Sequence, residues 1–167
     1  VVAPLEQRLG DFLRKKNQTL SVAESCTGGS LAQRLTSVPG SSAYFWGGVV
    51  AYHNRAKTVL LGVPSDILKK YGAVSGETAQ AMAEGMRRIS GTDYALSITG
   101  VAGPDGGTAK KPVGLVWVGL ASVAGVYVFK KIFSGDRKTI RRKATDEALR
   151  LMGKNTRSFG GRVQKFT

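Results

Sequence analysis

Residues Thr19 to Ala23 read as a short buried strand that stops on Glu24-Ser25-Cys26-Thr27-Gly28-Gly29, after which helical patterning runs from Ser30 to Thr36. A strand emptying through a glycine turn into a helix start is the repeating unit of α/β folds, and it constrains this chain more than any other feature. The unit recurs at Phe45 to Tyr52, an apolar and aromatic run suited to a second buried strand, with Asn54 placed to cap a helix reaching Leu61. Upstream, Pro4 opens an amphipathic helix over residues 4–17 with Leu5, Leu9, Phe12 and Leu13 on one stripe. Downstream, Ser75 caps a helix to Ile89 and Tyr94 to Ile98 follows as a strand. Val113 to Ser122 and Val126 to Phe133 flank Ala124-Gly125 as a β-hairpin, so the sheet is expected to be mixed. Asp136 then caps a last helix that turns Ile140, Ala144, Ala148 and Leu151 inward.

At 167 residues, 42% of them hydrophobic, the chain suffices for one domain with a sizeable core. We expect that domain over residues 1–152 and a basic, flexible tail over 153–167. A chain starting at Val1 suggests either a trimmed sequence or a piece of a longer chain, which leaves open the loss of a neighbouring domain. No apolar run has the roughly 18 residues a membrane span needs, and no leader with a small-residue cleavage site opens the chain, which together suggest a cytoplasmic protein without membrane contact. Cys26 is the one cysteine and His53 the one histidine, so neither a disulfide nor a set of zinc ligands is expected, and no metal. The net charge of +14 is concentrated at the carboxyl end, where residues 129–167 hold twelve Lys or Arg against three acids. Such a tail can bind nucleic acid, but no recognition motif or interleaved aromatics accompany it, and a solvated helix face is favoured.

In α/β sheets the loops leaving the carboxyl ends of the strands share one edge and build the ligand crevice. Three segments fall there: Glu24 to Gly29, Tyr52 with Lys57 in the next helical turn, and the loop Thr99-Gly100-Val101-Ala102-Gly103-Pro104-Asp105-Gly106-Gly107, too rich in breakers for a regular element. Helix amino ends at Thr27 and Asn54 are expected to favour an anion such as phosphate. The Walker loop, the dinucleotide fingerprint and the Gly-x-Ser-x-Gly elbow are all absent, which disfavours nucleoside triphosphatases, Rossmann dehydrogenases and Ser-His-Asp hydrolases. Ser25 remains as a nucleophile, with the N–H groups of Thr27, Gly28 and Gly29 facing a developing oxyanion. Taken singly, a Ser before two glycines is ordinarily a helix cap, Tyr52 a rim aromatic and Lys57 a solvated helix residue.

The segments Ala23-Glu24-Ser25-Cys26-Thr27-Gly28-Gly29, Pro39-Gly40-Ser41-Ser42, Val50-Ala51-Tyr52-His53-Asn54 with Ala56-Lys57, Gly72-Ala73-Val74-Ser75, Thr99 to Gly107, Lys111-Pro112-Val113-Gly114 and Phe133-Ser134-Gly135-Asp136-Arg137 together resemble the CinA C-terminal family, in that family's order over about residues 5–152. Its stand-alone members, called PncC, are nicotinamide mononucleotide deamidases. The resemblance implies a three-layer α/β/α sandwich around a mixed, mostly parallel five-stranded sheet, a homodimer, and a serine amidohydrolase without metal or organic cofactor. Carried over by motif, Ser25 is the nucleophile, and Lys57 with Tyr52 moves the proton. Thr27, Gly28, Gly29, Thr99, Gly100, Gly103, Asp105, Gly106, Gly107 and Arg137 are the candidate substrate contacts, Arg137 being a phosphate partner. Two other expectations compete: a catalytically idle nucleotide-binding or dimerising domain of a longer CinA protein, and a basic nucleic-acid accessory protein.

Overall fold

The computed structural model describes residues 2–157. A five-stranded sheet of order β2-β1-β3-β4-β5 is built from β1 (Leu20–Glu24), β2 (Phe45–Val50), β3 (Tyr94–Gly100), β4 (Leu115–Ser122) and β5 (Gly125–Ile132). It is mixed: β1 runs parallel to both β2 and β3, while β3–β4 and β4–β5 are antiparallel. The helices α1 (Leu5–Lys16), α2 (Ser30–Thr36) and α6 (Arg137–Arg157) pack together on one face. On the other face lie α3 (Asn54–Leu61), α4 (Ser65–Tyr71) and α5 (Gly76–Ser90), which completes the expected α/β/α sandwich.

Each face has its own core. Leu9 and Leu13 of α1, Leu31 and Leu35 of α2, and Ile140, Ala144 and Ala148 of α6 cover Leu20, Val22 and Leu96 of the sheet. Opposite them, Leu61 of α3 and Met82, Ala83 and Met86 of α5 close on Ala23, Ala95 and Ala121. The alanines let α5 settle close to the strands, and the central strands, covered on both sides, read as continuous apolar runs rather than alternating ones.

Several boundaries differ from those expected. β2, which ends at Val50, is an edge strand paired with β1 alone among the described residues, and its exposure alternates, so it is half-buried rather than buried. His53, not Asn54, caps α3: its Nδ1 accepts the Arg55 N–H at 3.1 Å. β3 continues through Thr99 and Gly100, paired with Trp117 and Val116, so the glycine-rich loop starts at Val101. Ser75 and Asp136 cap α5 and α6 as expected. The last helix passes Gly153 and runs to Arg157, with Asn155 and Thr156 buried and bonded to the carbonyls of Leu151 and Met152. The first five residues assigned to the tail are therefore helical, and residues 158–167 lie outside the described part.

Candidate active site

β1 is where the strand order reverses. The chain leaves it through α2 to reach β2 on one side, and later crosses the sheet through α3, α4 and α5 to reach β3 on the other. Loops leaving such a strand diverge and open a crevice at its carboxyl end. Ser25 sits there, its N–H still held by the Ile98 carbonyl at 2.9 Å, and only 8% of its surface is exposed.

The first turn of α3 sends Lys57 back under this crevice. The side chain is fully buried, and Nζ lies 3.0 Å from Ser25 Oγ, 3.0 Å from the Ala51 carbonyl and 3.1 Å from the Tyr52 carbonyl. No carboxylate pairs with it among the described residues, and burial pulls its pKa below the ordinary lysine range. The three partners suit a neutral amine. Two N–H groups serve the two carbonyls, and the lone pair faces the serine hydroxyl, which then donates to it. As an ammonium the same nitrogen donates to all three.

Tyr52 joins this pair through its main chain. Its phenol is 57% exposed and accepts a hydrogen bond at 2.9 Å from Nη2 of Arg137, whose Nη1 donates to the Gly103 carbonyl at 2.9 Å. Arg137 thus spans the crevice mouth from the strand end at Tyr52 to the glycine-rich loop. Within the described residues the Tyr52 hydroxyl bonds to neither Ser25 nor Lys57. The Cys26 thiol, next to Ser25, is buried, and burial pushes its pKa up to about 12, which keeps it protonated.

Glu24 holds a place that the sequence did not reveal. Almost wholly buried, it accepts from the N–H groups of Gly29 at 3.2 Å, Leu31 at 3.0 Å and Ala32 at 2.8 Å. The amino end of α2, expected to attract an anion, is thus already satisfied, and at α3 His53 takes up the Arg55 N–H. The Gly29 N–H is spent on Glu24 and the Gly28 N–H on the Ser25 carbonyl at 3.0 Å, which leaves the N–H groups of Cys26 and Thr27 without an acceptor elsewhere in the described residues.

The glycine-rich loop answers mostly to its own packing. Thr99 is buried with its hydroxyl on the Ala73 carbonyl at 2.7 Å. A Cβ at Gly100 would come 2.7 Å from the Leu115 carbonyl, at Gly103 2.5 Å from the Val113 side chain, and at Gly107 2.8 Å from the Val113 nitrogen. These three glycines let residues 113–116 approach, which is sufficient reason for them without a ligand. Asp105 and Gly106 lie on the exposed rim. Among the described residues, no group of three or more His, Cys, Asp or Glu is placed to hold a metal ion.

Comparison with known proteins follows the same outline. The family model for the CinA C-terminal domain matches residues 2–156. A CinA-like protein of Solibacter usitatus is 52% identical over 148 residues, 89% of this chain and 36% of that protein. One from Geotalea uraniireducens is 55% identical over 133 residues, 80% of this chain and 32% of that protein. The chain thus spans about a third of the length of these relatives. Among solved structures, a CinA superfamily protein from Klebsiella pneumoniae superposes with a TM-score of 0.90 at 32% identity, covering 93% of this chain and 97% of that one. The competence/damage inducible protein CihA from Agrobacterium tumefaciens does so with a TM-score of 0.85 at 36% identity, covering 92% and 97%.

Proposed function

This chain belongs to the CinA C-terminal domain family, and we propose that it is a serine amidohydrolase that converts nicotinamide mononucleotide to nicotinic acid mononucleotide and ammonia. The observation that carries this reading is the buried Lys57 amine 3.0 Å from the Ser25 hydroxyl, with no acid among the described residues paired to hold its proton. A lysine kept for charge would be paired or solvated; a desolvated one aimed at a hydroxyl is equipped to remove a proton.

In this mechanism Ser25 Oγ attacks the carboxamide carbon while its proton passes to Lys57 Nζ. The oxygen of the tetrahedral intermediate takes the charge, and the N–H groups of Cys26 and Thr27 are the donors left to receive it. Lys57 returns the proton to the amide nitrogen, the C–N bond breaks and ammonia leaves an ester on Ser25. Water, deprotonated by the same amine, then cleaves that ester and frees the carboxylate. With the amino end of α2 occupied by Glu24, the guanidinium of Arg137 at the mouth is the cation offered to the ribose phosphate.

Ammonia release from nicotinamide mononucleotide by the pure protein tests this reading. Ser25→Ala and Lys57→Ala should each lower the rate by about 10³-fold or more, the scale on which nucleophiles and their bases act. Binding of the mononucleotide without ammonia release would replace the enzyme by the idle nucleotide-binding domain.

A further inference from the structure

Arg141 follows Arg137 by one helical turn, so both project from the same side of α6. They differ in what they touch. Arg141 reaches inward to the nucleophile loop, where Nη2 donates to the Thr27 carbonyl at 2.8 Å and lies 3.3 Å from Ser30 Oγ. The same carbonyl also accepts from the Ser30 N–H at 3.1 Å and from the Ser30 hydroxyl at 2.6 Å, so three donors fix its direction. The guanidinium lies over Gly28, whose φ of +58° excludes most side chains and whose added Cβ would come 3.1 Å from Arg141 Nη2.

Its surroundings separate it from the arginine that braces the same helices. Arg34 forms ion pairs with Glu6 at 2.7 Å and Asp146 at 2.6 Å, joining α1, α2 and α6. Arg141 has no carboxylate within ion-pair distance among the described residues, and its buried Nε has no partner there. Arg141 from α6 and Lys57 from α3 thus meet the same turn, one at the Thr27 carbonyl and the other at the Ser25 hydroxyl. That turn, Ser25 to Gly28, is closed by the Gly28 N–H on the Ser25 carbonyl, and its two central residues own the N–H groups assigned to the oxyanion.

We propose that Arg141 is a positioning residue for the nucleophile turn: by holding the Thr27 carbonyl toward α6 it keeps the Cys26 and Thr27 N–H groups directed at the carbonyl oxygen of the group that Ser25 attacks. This rests on the reading of Ser25 as nucleophile. Arg141 acts through the turn and need not touch substrate. Displacement of such donors by about 1 Å is enough to cost on the order of 100-fold in rate.

The test uses a small fluorophosphonate, with intact-protein mass spectrometry following labelling. Ser25 Oγ bonds to phosphorus, its proton goes to Lys57, fluoride leaves, and the phosphoryl oxygen draws on the same N–H donors. The probe carries no ribose phosphate, so a lost ligand contact is silent. Native protein should label once, at Ser25, and Lys57→Ala only slowly. Arg141→Ala should label about 10- to 100-fold more slowly with unchanged circular dichroism. Arg141→Lys keeps the charge but reaches one acceptor, and should fall between the two. The exposed neighbour variant Arg142→Ala should label at the native rate. If Arg141→Ala does not fold, Arg141→Lys decides alone, slowed labelling supporting the proposal and a native rate overturning it. Native-rate labelling of both folded Arg141 variants overturns the positioning role and leaves the nucleophile intact. No labelling of native protein removes the nucleophile, and the positioning role with it.

Discussion

Lys57 is an unusual side chain to bury, and its pH behaviour follows from that. The neutral amine is the working base, so kcat/KM should rise with pH along a limb whose midpoint lies below the ordinary lysine value of about 10.4. A rate that falls as pH rises from neutrality would exclude this role. The same shift has a stability side: the unfolded chain holds this proton more tightly than the folded one. Burial of Lys57 therefore opposes folding below its folded pKa, and that opposition fades as pH rises toward the unfolded value. Tyr52 supplies a contrast. Its carbonyl belongs to the lysine's shell but its phenol faces Arg137 at the mouth, so Tyr52→Phe should raise KM while kcat stays within about 10-fold of native. Loss of activity in Tyr52→Phe comparable to that in Lys57→Ala would instead put the phenol in the proton path.

The elements carrying these residues depend on one another through close contacts. α3 is held on α5 by the absence of a side chain at Gly85, where a Cβ would lie 1.9 Å from the Leu61 carbonyl. Gly85→Ala must push the two helices apart, at a cost of about 1–3 kcal/mol, and in doing so shift Lys57 away from Ser25. Thermal melting and the ammonia rate should decline together, and full activity in a destabilised Gly85→Ala would show that the dyad tolerates movement of α3. Elements such as β1, α2, α5 and the β4–β5 hairpin were legible because burial on one face imposes a period on their residues and burial on both leaves a short unbroken apolar run. α4 escaped notice because its seven residues, Ser65 to Tyr71, bury no side chain fully and leave no periodic signal. The site was less legible than the fold. Ser25 and Lys57 lie 32 residues apart and meet only because β2 and α3 return the chain beneath β1, so the family resemblance, not local pattern, joined them. Glu24 and Arg141 were missed because each acts on backbone groups, and periodicity counts side chains.

At the scale of the molecule the charge distribution runs against the usual rule. Five of the seven residues 137–143, at the amino end of α6, are Lys or Arg, although the positive end of a helix dipole disfavours cations there. Arg137 crosses the crevice mouth and Arg141 holds the nucleophile turn, so this costly placement puts positive potential over the site rather than along an indifferent face. With a net charge of +14, the field should draw an anionic mononucleotide toward the crevice from beyond contact distance. Added salt shortens the reach of that field, the Debye length falling to about 10 Å at 0.1 M and about 3 Å at 1 M. KM for nicotinamide mononucleotide should therefore climb several-fold between low and high ionic strength while kcat, set inside the buried dyad, stays constant. The dephosphorylated nucleoside, which carries only the pyridinium charge, should bind no worse as salt rises. A KM for the mononucleotide indifferent to salt would mean that the phosphate is held by short contacts alone and that the basic end of α6 has no part in gathering substrate.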